Sequence, residues 1–212
     1  MIEALIAAVR APEARRWLDD QLAAARDPAR FAPAFAAAGR WLGRAAISDE
    51  DAAAITAAGL RWPVTDADEC GRAALVLAAI AELPEDSHVG LVRDLVRRGE
   101  VRERQAVLRV LAALPGPARF VELAIDACRS NVETVFSALA CDNDFPARHF
   151  PAAAFDQMVL KALFIGAPLA RVAGLAARTT AELVRMVDAY VSERRAAGRS
   201  IPDDVALVRS PP

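Results

Sequence analysis

Apolar residues recur along most of this chain at intervals of three and four, and nowhere do they alternate with period two over a sustained run. The pattern therefore predicts helices throughout and no sheet. Proline, glycine and small polar residues mark the boundaries. Met1 to Arg10 reads as a first amphipathic helix, and Pro12 opens a second through Ala25 with Trp17, Leu18 and Leu22 facing inward. Asp27-Pro28, an N-cap followed by proline at the first helical position, starts an arginine- and alanine-rich segment interrupted by Gly39 and Gly43. Ser48 with Asp51 imitates a capping box for a helix through Ala58, which Gly59 ends. After a turn at Arg61-Trp62-Pro63, Asp66 with Glu69 resembles another capping box, for a helix that places Cys70, Ala74, Leu77 and Ala81 on one face.

Further helices are expected at His88 to Arg98, Val101 to Leu114, Pro117 to Cys128 and Asn131 to Ala140, the last capped by Ser130 with Glu133. Short connections make such helices antiparallel neighbours. The expected fold is all-α, with about eight to eleven helices in antiparallel pairs, forming either a HEAT-like irregular superhelix or a compact helical bundle. Asp142 to Pro151 is the longest non-helical break, ordered by Phe145-Pro146 and Phe150-Pro151.

The chain is organised around Phe155 to Gly198. An apolar helix there is followed by a short helix from Pro168 and a long one framed by Thr179 and Glu182. Met158, Val159, Ala162 and Leu163 are expected to pack against Leu183, Met186, Val187 and Tyr190. Residues 1–199 read as one helical domain, and residues 200–212, with three prolines, as a surface or frayed tail.

Composition narrows the function classes. The chain has 212 residues, enough for a real core, and alanine, the best helix former, supplies much of its 55% hydrophobic content. A net charge of -2 leaves no basic excess for binding nucleic acid, and 6% aromatics offers few stacking surfaces. The longest apolar run, Ala73 to Ala81, falls well short of the roughly 18 residues a membrane span needs. With Glu3 in place of a basic leader, the start reads as structure, and the protein is expected in the cytoplasm. Cys70, Cys128 and Cys141 are odd in number and embedded in helical patterns, so they read as packed, reduced thiols.

No pattern of catalytic or metal-ligating residues rises above this background, and no cofactor is implied. Lys161 is the one informative position, the sole lysine among 26 basic residues and set in an apolar helix. Such a lysine either snorkels to an acceptor while its stem covers apolar surface, or binds an anionic or carbonyl-bearing ligand. In the second case it reaches a pocket bounded by residues 142–151, with Asp142 and Asp144 as candidate acceptors and Asp156 pointing away. Gln157 lies one turn before it and shares its polar stripe, or else satisfies loop backbone. Asn143 and His149 in the neighbouring loop complete the candidate ligand-binding set with Tyr190, the only tyrosine, whose hydroxyl needs a partner if buried. His149 beside Cys141, Asp142 and Asp144 lacks the convergent ligands of a metal site, and neither it nor His88 has a nucleophile partner.

The segments NDFPARHF from Asn143, QMVLKALFIGAPLARVAGLAAR from Gln157 and ELVRMVDAYVSERRAAGRSIP from Glu182 resemble the EboA family. The remainder agrees only in being helical and alanine-rich. The chain departs from the family pattern at Asp144-Phe145, where Pro-Tyr is usual, at Asp156, where Asn is usual, and at Thr179-Thr180, where an Asn-containing link is usual. The resemblance implies a setting more than a reaction, since such proteins accompany a prenyltransferase and several metabolic enzymes concerned with making or moving small precursors. It implies a non-enzymatic helical adaptor or metabolite-binding protein, with proteins of that cluster or a small-molecule precursor as partner. The alternative it leaves is an enzyme acting on a prenylated, phosphorylated or sugar-like precursor around Lys161.

Overall fold

A computed structural model describes residues 1–25, 27–60 and 63–209. The fold is all-α, with no strand among the described residues beyond an isolated antiparallel bridge between Ala46 and Asp66. Fourteen α-helices are present among them, more than expected, because three pieces of four or five residues, Phe145–His149, Leu175–Arg178 and Val205–Arg209, escape a periodicity test that needs several turns. No helix among the described residues is long and apolar enough to cross a membrane. The chain divides into two compact units, residues 1–120 and 121–212.

The first unit holds α1 (Ile2–Ala7), α2 (Pro12–Ala23), α3 (Pro28–Leu42), α4 (Asp49–Ala57), α5 (Ala67–Glu82), α6 (Glu85–Arg98) and α7 (Val101–Val110). At its centre is α5, against which α1, α2, α3 and α7 all pack. The single inward face expected of α5 is corrected. Its side chains are buried around the circumference from Ala67 to Leu77, whereas Ala81 is exposed. A helix apolar on all sides belongs in the middle of a unit.

Asp27 caps α3 through its bond from the Ala29 amide, and α3 runs through Gly39 without a break until Gly43, at φ 67°, ends it. Ser48 caps α4, but Asp51 completes the box by accepting from the Ser48 hydroxyl (2.7 Å) and from Arg10 (2.9 Å). Arg61 and Trp62 of the expected turn lie outside the described residues.

The second unit holds α8 (Val121–Ala127), α9 (Glu133–Ala140), α10 (Phe145–His149), α11 (Ala152–Ile165), α12 (Leu175–Arg178), α13 (Ala181–Ala196) and α14 (Val205–Arg209). The expected contact between α11 and α13 is present. Met158, Val159, Ala162 and Leu163 are buried, as are Leu183, Val187 and Tyr190, and Met186 is half-buried.

Several local expectations are corrected. The 142–151 break contains α10, whose five residues are too few to show a period. Arg178 fixes it by donating to the carbonyls of Pro146 (3.1 Å), Ala147 (2.8 Å) and Phe150 (2.8 Å). Thr180, not Thr179, caps α13. Its hydroxyl accepts from the Leu183 amide and donates to Asp156 (both 2.9 Å), a carboxylate buried with one oxygen left unpaired. The N-cap of α9 is Val132, and Ser130 instead accepts from the Val132 amide. The chain after residue 200 forms α14 against α13 and α12 with Val205 and Val208 buried, so this part is no frayed tail.

All three cysteines are buried and unpaired. Burial pushes the Cys70 and Cys128 thiols up to about 12 and raises Cys141 as well. Iodoacetamide at pH 8 should therefore leave all three unlabelled in the native chain and label all three in urea, read by intact mass. Rapid labelling of a native thiol would contradict this packing, because the thiolate is the reactive form.

Candidate functional site

The concentration of buried charge lies in the first unit, at the head of α5. Asp66 accepts from the Glu69 amide (3.0 Å) and so starts the helix, while Glu69 accepts from the Thr65 amide (3.1 Å) and hydroxyl (3.2 Å). Asp68, Glu69 and Arg72 are then carried into the interior.

Two glycines let α3 close over them. A Cβ on Gly71 would lie 2.2 Å from a methyl of Leu42, and one on Gly39 would lie 3.1 Å from the Arg72 guanidinium. Through this gap Arg72 reaches the Phe35 carbonyl (2.5 Å) and lies over the Phe35 ring, 5.1 Å from its centroid.

Residues of α7 close the network from the other side. One oxygen of Asp68 accepts from Arg72 and the other from Arg102, each at 2.7 Å, and Arg102 also donates to both oxygens of Asp66 (2.8 and 2.7 Å). Arg109, two helical turns on, pairs with Glu69. Burial works against the charge on Arg102, but its bonds to Asp68 and Asp66 outweigh that and hold its pKa above the ordinary arginine value. The Asp68 charge is thus answered on both oxygens inside the fold.

Over this network lies a concavity of about 640 Å³, to which α3 and its exit contribute Arg40 and Arg44, and α7 contributes Arg102 and Arg104. Its carboxylates are already engaged. Beyond Asp68, Glu100 and Glu103 form the capping box of α7, and Glu103 stands 3.5 Å from Arg72. Among the described residues no carboxylate pairs with Arg40, Arg44 or Arg104, and the Nε of Arg104 is buried with no hydrogen-bond partner.

The residues singled out from the sequence all lie in the second unit. The Lys161 ammonium donates to the carbonyls of Cys128 (2.6 Å) and Ser130 (2.7 Å) and sits 5.1 Å from the Phe136 ring centroid. The carboxylates of Asp142 and Asp144 were the expected acceptors; the acceptors are instead carbonyls of the turn between α8 and α9. Gln157 is exposed. Asn143 is buried and joins the Ala138 carbonyl to the Phe145 amide (both 3.0 Å). His149 packs on Phe145 with its Nε2 buried and unpaired, and burial, then Arg148, depress its pKa. The Tyr190 hydroxyl donates to the Leu163 carbonyl (3.4 Å), and its ring meets Phe164 edge-on. Lys161, Asn143 and Tyr190 thus direct polar atoms to backbone carbonyls of three different segments. A concavity of about 360 Å³ in this unit, between residues 169–177 and Leu207, is lined by apolar residues alone.

The arginine site escaped sequence reasoning because oppositely charged residues at i,i+4, such as Asp68 and Arg72, are common on solvated helix faces and single out no site. A signal was present, however. From Ala67 to Ile80 the only charged residues are Asp68, Glu69 and Arg72, in a helix with no polar face to carry them to solvent.

No curated protein and no solved structure gives a significant match to the chain. A family model described as "Metabolite traffic protein EboA" matches residues 1–208, well upstream of the motifs that begin at Asn143 and across both compact units. With nearly the whole 212-residue length matched, the chain belongs to the EboA family.

Proposed function

We propose that this protein binds a small anionic metabolite in the arginine-lined concavity of its first unit and releases it unchanged. The observation that carries this reading is that Arg40, Arg44 and Arg104 line a metabolite-sized volume and, among the described residues, pair with no carboxylate, while Asp68, Glu100 and Glu103 of the same lining are already engaged. Unpaired guanidiniums on a rigid floor are preorganised to take an anion, since little reorganisation is needed when it arrives. The family description as a metabolite traffic protein agrees with such a role. Binding without chemistry is favoured because Asp68, Glu100 and Glu103 each already accept hydrogen bonds, which leaves no free carboxylate as a general base. In this reading Lys161 is a structural tie, not a ligand-binding group.

The test is small-molecule mass spectrometry on the chain purified gently from its producing cells. The native protein should release an acidic metabolite on denaturation, and Arg40→Ala combined with Arg104→Ala should retain at least about tenfold less, as expected when charge-assisted hydrogen bonds worth about 1.5–3 kcal/mol each are removed. Equal retention by the folded double variant, or no acidic metabolite from either protein, would count against the reading.

A further inference from the structure

We infer that the anion recognised by this concavity is the phosphate group of a small organic monoester, an inference that rests on the binding role proposed above. Charge is the first argument. The lining sets Arg40, Arg44, Arg72, Arg102 and Arg104 against Asp68, Glu100 and Glu103; Asp66, which Arg102 holds just beyond it, brings the excess to one positive charge, with Arg40, Arg44 and Arg104 the three cations that no carboxylate pairs among the described residues. A phosphate monoester carries about two negative charges near neutral pH and presents three terminal oxygens, whereas a single carboxylate brings one charge and two oxygens. Asp68 does not repel the ligand, because both its oxygens are held by Arg72 and Arg102.

Donor arrangement is the second argument. Arg40 and Arg44 come from the end of α3 and the residues after it, and Arg104 comes from α7, so guanidiniums reach one volume from two separate segments. Planar forks arriving from different directions suit a tetrahedral group better than a flat one.

Size is the third. A volume of about 640 Å³ lies within the range of small-molecule sites and leaves room beyond the phosphate for an organic body, with Ala36, Gly39 and Val101 as its apolar wall.

The test is isothermal titration calorimetry on the full chain at fixed ionic strength, with glycerol 3-phosphate and succinate as probes. Succinate is also a dianion, so the comparison separates the shape of the charge from its amount. Glycerol 3-phosphate should bind at least about tenfold more tightly, and Arg104→Gln and Arg40→Gln should each weaken it about tenfold with the melting midpoint retained. Its affinity should also fall as the pH is lowered through about 6, because protonation of the ester removes one of the two charges it offers to the arginines. Succinate binding as tightly as glycerol 3-phosphate, with the same dependence on Arg104, would overturn the phosphate assignment and leave the anion-binding role standing. Failure of both probes to bind, or binding indifferent to both substitutions, would overturn the two together.

Discussion

Asp68→Ala should destabilise the protein by about 3–5 kcal/mol, measured by urea unfolding, the range found when one member of a buried ion pair is removed. Asp68 is 2% exposed and accepts from two guanidiniums at once. Its loss leaves Arg72 inside the unit with the Phe35 carbonyl and a distant Glu103 as its remaining acceptors, while Arg102 keeps only Asp66. The cost comes from stranding charge that is already out of water, so it greatly exceeds the worth of the same pair at a surface. Glu182→Ala serves as the comparison, since Glu182 pairs with Arg185 on an exposed face and its removal should leave the unfolding midpoint in place. A change below about 1 kcal/mol for Asp68→Ala would mean that the interior network is solvated and does not hold α3, α5 and α7 together.

Lys161→Met should cost about 2–3 kcal/mol and lower the thermal midpoint by roughly 10 °C, with glycerol 3-phosphate binding unaltered. Methionine keeps the length and apolar stem of lysine, so the packing of α11 survives and only the ammonium is lost. Two carbonyls then lose a charged donor, and the ring of Phe136 loses the cation above it. Scanning calorimetry together with the calorimetric titration separates the two roles open to this residue. An unchanged midpoint accompanied by loss of ligand would move the binding site to the second unit and reverse the assignment made here.

Much of the helical framework was legible because its boundaries are chemical. Asp27 before Pro28, Ser48, and Asp66 all cap the helices their side chains advertise. Capping depends on a few neighbouring residues and so survives any tertiary context. The errors arose where a partner distant in sequence redirects a side chain. Glu69 was expected to complete a local box on Asp66, but it bonds to Thr65 and to Arg109, forty residues on. Asp156 does not meet Lys161, but no sign in the sequence marks it as buried and accepting from Thr180, twenty-four residues on. The candidate site was illegible for the same reason. Arg40, Arg44 and Arg104 look like ordinary surface arginines in a chain that has many, and only the approach of α3 to α5 through Gly39 and Gly71 turns them toward one volume. Lys161 drew attention by rarity, which identified an important side chain without revealing what it touches.

The seating of α1 bears on how the chain is made. Leu5 is fully enclosed, and α1 packs on α4 and α5. With six residues, α1 is too short to hold its own shape in water. During synthesis it therefore gains only the flank of α4 before residue 67 and those after it, which supply most of its seat, have left the ribosome. Until that moment the opening helix is exposed as a sticky apolar segment, and when α5 does emerge its flank stays open until α1 returns. This late-closing seam is where a nascent chain would engage a chaperone, and where crowding during rapid expression would first cause aggregation.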